Sequence, residues 1–183
     1  MRRKRIVQWS VVGVVILVAF LAASGRIPGR VPSADQGEPP VVGRAAPSFD
    51  LGKVDGGTVE LRQLRGKWVL LTFWTTWCHA CVSQEPHLQA AYEEMGGEVE
   101  FIGINLGESR ERVGRHVTPD ITFAIALDSD QKTGMAYNIR YLPTTFAVDD
   151  EGIIRGIRLG AFPSKDDVIA WLDDLILGEA TSS

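Results

Sequence analysis

Apolar and polar positions divide the chain into segments of different period. Within Trp68-Val69-Leu70-Leu71-Thr72-Phe73, residues 69–73 form a nearly continuous apolar run. That is the pattern of a central strand covered on both faces. Thr58-Val59-Glu60-Leu61 alternates instead, after a Gly56-Gly57 turn. Past Cys81, Leu88, Ala91, Tyr92 and Met95 fall at i, i+3, i+4 and i+7. They predict an amphipathic helix that ends at Gly96-Gly97. Residues 99–105 read as the next strand, 108–117 as a short polar helix, 121–127 as extended chain and 131–138 as another helix. Residues 144–148 and 153–158 flank Asp150-Glu151-Gly152, a hairpin signal. In the last helix Ser164 and Asp167 have capping-box spacing, and Val168, Ile169, Leu172, Leu175 and Ile176 make the apolar face. Gly178 is expected to stop it. This order of elements predicts an α/β sandwich with a mixed sheet.

The N-terminal stretch follows another rule. Arg2, Arg3, Lys4 and Arg5 precede a run from residue 6 to residue 23 that is broken only by Gln8, Trp9 and Ser10. Eighteen helical residues would span about 27 Å, just enough for a bilayer core. The basic cluster would stay in the cytoplasm and send the rest across the membrane. Ala22-Ala23-Ser24 also offers small residues for signal-peptide cleavage, so an anchor and a cleaved leader both stand as readings. Either one places the body outside the cytoplasm. Residues 25–46 hold Pro28, Pro32, Pro39, Pro40 and four glycines without periodicity, the composition of a tether. The expected organisation is a membrane segment over 1–24, a tether over 25–46, a domain over 47–178 and a tail over 179–183.

Charge changes the picture only a little. The whole chain carries −4; residues 1–40 hold six basic and two acidic side chains, leaving the remainder at −8. An acidic body argues against nucleic acid as a partner.

Two cysteines narrow the chemistry. Cys78 and Cys81 are the only ones, in Trp74-Thr75-Thr76-Trp77-Cys78-His79-Ala80-Cys81, at the junction from the apolar strand to the helix. A helix N-terminus favours the thiolate of the first sulfur. Cross-linking across two intervening residues removes little chain entropy, so this pair is a poor structural staple. Redox chemistry is the better reading.

Three stretches carry a family resemblance: residues 73–81, Pro86 five residues past Cys81, and Tyr141-Leu142-Pro143-Thr144-Thr145-Phe146. Over roughly residues 41–178 the chain resembles the TlpA/ResA-like family of thioredoxin-fold, membrane-tethered, extracytoplasmic thiol-disulfide oxidoreductases. The resemblance implies a thioredoxin-like mixed sheet flanked by helices, with an N-terminal strand extension and a central strand-helix insertion. It implies that Cys78 is the exposed nucleophile and Cys81 the buried resolving thiol. Pro143 would be the cis-proline of a client groove, with Leu142 before it and Thr144 after it; Leu142 would offer backbone hydrogen bonds to the client. Trp74 and Trp77 fit a hydrophobic rim or the core. No bound cofactor is implied. The implied partners are disulfide-bearing clients, for example apocytochrome c before haem attachment, and a membrane thiol-disulfide electron donor.

The departures from the family pattern are specific. His79-Ala80 lacks the proline common between the cysteines, and an imidazolium at His79 would favour the Cys78 thiolate and raise the potential. Many members place a glutamate three residues after the second cysteine; here that position is Gln84. Thioredoxin keeps a buried aspartate where this chain has Thr72. Glu85 lies at i+7 from Cys78, about 10 Å along an ideal helix, and stands either as a substitute acceptor for the proton of Cys81 or as a solvated glutamate on the helix face.

Two other classes of function share the fold. A peroxiredoxin-type peroxidase would have proline seven and threonine three residues before its reactive cysteine; Thr75 fits, whereas Leu71 does not. A Cu(I) carrier could use Cys78 and Cys81 with a histidine, but His79, His87 and His116 are the only histidines and none lies beyond residue 116.

Overall fold

A computed structural model describes residues 40–180. The expected membrane or signal segment, most of the expected tether and residues 181–183 of the tail lie outside them. Among the described residues no helix is long and apolar enough to cross a membrane.

Seven strands form one mixed sheet: β1 (Asp50–Lys53), β2 (Thr58–Glu60), β3 (Trp68–Trp74), β4 (Val99–Leu106), β5 (Ala124–Asp128), β6 (Thr144–Val148) and β7 (Ile154–Leu159). Their order across the sheet is β2-β1-β5-β4-β3-β6-β7. β3, β4 and β5 run parallel; the other pairings are antiparallel. The helices are α1 (His79–Met95), α2 (Arg110–His116), α3 (Lys132–Ala136) and α4 (Lys165–Ala180), with a 3-10 turn at Leu61–Leu64.

The side-chain alternation of β3 builds two cores. Leu70 and Trp74 face a cluster with Leu88 and Ala91 of α1, Val113 of α2 and Val168 and Leu172 of α4. Val69, Leu71 and Phe73 face the other way, toward Phe146, Ile154, Tyr137 and Leu61. A strand buried on both faces needs apolar residues at both parities, which is why its run is broken only by Thr72. Leu71 is fully buried, and its truncation to alanine would cost about 2–5 kcal/mol.

Several expected boundaries move: the helix read over 131–138 is only Lys132–Ala136, and the stretch read as extended over 121–127 is a strand over Ala124–Asp128. Gly178 does not stop the last helix, which continues to Ala180; an exposed glycine costs a helix only about 1 kcal/mol. Half of the capping box at its start is made: Ser164 Oγ accepts from the Asp167 N–H at 3.2 Å, while the Asp167 carboxylate accepts from the Ser164 hydroxyl. The helix expected from residue 108 begins at Arg110, with Ser109 as its N-cap accepting from the Arg112 N–H. Glu108 is thereby left outside the helix, free to serve a different element.

Candidate active site

The chain leaves β3 at its C-terminal end, turns through Thr75-Thr76-Trp77 and enters α1. Ligand sites in open α/β sheets lie beyond such strand ends. Cys78 is the N-cap of α1, and its Sγ accepts from the Cys81 N–H at 3.2 Å. The two cysteines are joined as a disulfide with Cα atoms 5.2 Å apart. Cys78 is 8% exposed and Cys81 1%. The first sulfur thus meets the free N–H groups of a helix start, and the second lies behind it in the core.

The turn before Cys78 is held from another strand. Glu108 Oε2 accepts from the Thr76 N–H at 2.7 Å and from Asn105 Nδ2 at 2.8 Å. Its Oε1 accepts from the Thr76 hydroxyl at 2.7 Å and pairs with Arg112 Nε at 2.9 Å. Burial opposes ionisation of Glu108, but these donors outweigh it and hold the carboxyl below the ordinary glutamate range. The sequence reading placed Glu108 only as a helix start. The Asn-x-x-Glu spacing after β4 is the signal that could have found it.

The floor under Cys81 is neutral. Gln84 is buried; its Nε2 donates to Thr72 Oγ1 at 3.3 Å, and its Oε1 accepts from the Phe162 N–H at 3.2 Å. Thr72 Oγ1 also bonds Thr145 Oγ1 at 3.1 Å. Both positions at which the family resemblance would place a carboxylate are therefore occupied by neutral side chains in one hydrogen-bond chain.

Glu85 lies half-buried one turn past Cys81, with Oε1 3.1 Å from His116 Nε2 of α2. It lines a small cavity together with Cys81, Gln84, Thr72 and Trp74. Burial pushes its carboxyl above the ordinary glutamate range, and the His116 hydrogen bond offsets part of that rise. Pro86, next in the helix, donates no N–H to the turn below it.

The other candidates divide by exposure. His79 and Ala80 are exposed on the first turn of α1. Trp77 is 64% exposed, whereas Trp74 is 4% exposed and belongs to the core, not to a rim. The Leu142–Pro143 peptide is cis. Thr144 opens β6 opposite Phe73, and its hydroxyl donates to the Tyr141 carbonyl at 2.7 Å. Leu142 precedes that ladder, so its peptide groups lie outside it. The three histidines do not converge: His79 is on the surface, His116 is bonded to Glu85, and no group of three or more His, Cys, Asp or Glu side chains among the described residues could hold a metal ion.

Known proteins match this architecture. The AhpC/TSA family model matches residues 42–157. Thiol-disulfide oxidoreductase ResA of Bacillus subtilis is 37% identical over 120 residues, covering 64% of this chain and 67% of that protein. ResA of Geobacillus thermodenitrificans is 34% identical over 138 residues, 73% of this chain and 78% of its own length. Among solved structures, a putative thiol:disulfide interchange protein DsbE from Chlorobium tepidum superposes with a TM-score of 0.67 at 26% identity, over 75% of this chain and 96% of that one. StoA from Bacillus subtilis shares the fold, with a TM-score of 0.62 at 24% identity over 73% of this chain and 99% of its own. With its disulfide at the strand-to-helix junction, the chain belongs to the AhpC/TSA family and, within it, to the ResA-like thiol-disulfide oxidoreductases.

Proposed function

We propose that the protein reduces disulfides in client proteins outside the cytoplasm, anchored by residues 6–23 and fed by a membrane thiol-disulfide carrier. The observation that carries this is the asymmetry of the pair: Cys78 caps a helix N-terminus and is buried but for 8% of its surface, while Cys81, at 1%, is sealed behind it. Thiolate Cys78 attacks a client disulfide, and Cys81 then attacks Cys78 to release the reduced client.

Exposed Trp77 and Tyr141, with Leu142 and Pro143 leading from the second of these to Thr144 at the start of β6, support a docking edge for an extended client chain. The peptide groups of Leu142 are available there because the β6 ladder starts at Thr144. An apocytochrome c awaiting haem, with its own closely spaced cysteines, is a client of this chemistry. Thiolate stabilisation by His79, exposed beside Cys78, would set the potential of the couple.

Equilibration of the full-length chain against thiol redox buffers tests the direction. A potential near or below about −270 mV is expected of a reductase. A value near about −120 mV would make the protein an oxidant and overturn the reading.

A further inference from the structure

Resolution of a mixed disulfide poses a proton problem that this chain solves differently from its relatives. Cys81 must lose its proton before its sulfur can attack, yet it is buried, and the side chains below it, Gln84 and Thr72, are neutral and already committed to hydrogen bonds. Neither can take up a proton at neutral pH.

Glu85 is at i+4 from Cys81 on α1, so the two side chains stack on one face of the helix. Both line the same cavity, of about 10 Å³, which is about the room one water molecule needs. Trp74 lines that cavity too, and its buried Nε1 has no hydrogen-bond partner. The rest of the lining, from β3, β4, β5, α1 and the chain after α2, carries no charge. His116 is the titratable group that faces Glu85 from α2, and its ring packs on Trp74 with centroids 5.4 Å apart. The arginines of α2 are engaged elsewhere: Arg110 donates to the Lys53 and Val54 carbonyls, Arg112 pairs with Glu108, and Arg115 lies near Glu111.

We propose that Glu85, oriented by His116, is the acceptor for the proton that Cys81 sheds when it resolves the mixed disulfide. The inference rests on the two-cysteine cycle proposed above. In the step, the Cys81 sulfur forms a bond to Cys78 Sγ and the bond from Cys78 to the client sulfur breaks. The client sulfur leaves as a thiolate with the electron pair; it is reduced and Cys81 is oxidised. The proton passes from Cys81 across the cavity to the Glu85 carboxylate. It reaches solvent at the partly exposed side where His116 holds that carboxylate. His116 is a positioning residue: it keeps the Glu85 oxygen in place and favours its ionised form.

The full-length reduced chain, mixed with 5,5′-dithiobis(2-nitrobenzoate) in a stopped-flow instrument, tests this. The first release of thionitrobenzoate reports attack by Cys78, and the second reports resolution by Cys81. Glu85→Gln is expected to slow the second phase by about tenfold to a hundredfold near neutral pH and to leave the first unchanged. Glu85→Asp should recover part of the loss. His116→Phe should move the acid limb of the second phase to higher pH, because the hydrogen bond that favours the carboxylate is gone. Thermal unfolding of each variant reports any loss of fold separately. If Glu85→Gln keeps the wild-type rate and pH profile in the second phase, the inference is overturned. A wild-type chain that releases only one thionitrobenzoate would instead sink the two-cysteine cycle itself.

Discussion

Glu108 holds the turn before Cys78, and Glu85 lies one helical turn past Cys81. They are the same residue type in opposite surroundings. Glu108 receives donors from Thr76, Asn105 and Arg112, and its carboxyl is held down. Glu85 has His116 as partner and an apolar cavity on its other side, and burial pushes its carboxyl up. A carboxylate satisfied by fixed donors is an anchor, since protonating it would break the bonds it accepts. One short of donors beside a buried thiol is suited to exchanging protons. The two ends of the CxxC turn are thus served by one fixed carboxylate and one titratable carboxylate.

The sharpest way to break this comparison is to remove the sulfurs in turn. Cys78→Ser should abolish reduction of a protein disulfide, while Cys81→Ser should accumulate a covalent mixed disulfide visible on a non-reducing gel. Full turnover by Cys81→Ser would mean that the two ends of the turn are not chemically distinct.

Moving the carboxylate comes next. In the Glu85→Gln background, adding Gln84→Glu puts an ionisable group back at the position many relatives use. It should recover about tenfold in the resolution rate, measured by the same stopped-flow assay. No recovery would show that the neutral chain through Thr72 and Phe162 cannot host the charge.

Glu108→Ala strips the turn of its anchor and should lower stability by about 1.5–3 kcal/mol, the range for hydrogen bonds to a charged group. Denaturant unfolding of the reduced chain reads this directly. The slow phase of the stopped-flow assay should keep its pH profile, because Glu108 takes no proton in the cycle.

The smallest effect is in the pH dependence of stability, where the two carboxyls have opposite signs. The folded value of Glu108 is lowered, so its contribution is present above the ordinary glutamate value and is lost as pH falls through the lowered one. The folded value of Glu85 is raised, so its contribution is present below the ordinary value and is lost as pH rises through the raised one. As pH rises through the glutamate range, wild type should therefore gain stability over Glu108→Gln and lose stability to Glu85→Gln, the two differences having opposite signs. Parallel curves would remove the distinction between the two sites.

Much of the architecture was legible from short windows of sequence. The nearly continuous apolar run of β3, the helix spacing through Leu88 and Met95, the hairpin at Asp150-Glu151-Gly152 and the Ser164 cap each depend on neighbours within a turn or two. Those periods and turn preferences are local physics. The ends of elements were less legible. Gly178 did not stop α4, because an exposed glycine costs a helix only about 1 kcal/mol, and Glu108 stood outside α2 because Ser109 caps that helix while Glu108 bonds the Thr76 turn.

By itself the sequence determined the redox pair, its place at a strand-to-helix junction and the order of elements around it. Only the tertiary structure decided which groups meet there. Glu108 reaches Thr76 across 32 residues, Glu85 reaches His116 across 31, and Gln84 reaches Phe162 across 78. Each of these contacts joins elements that the sheet order and the helix packing bring together. A carboxyl's protonation depends on such contacts and on the water they exclude, and residue type and spacing along one helix specify neither.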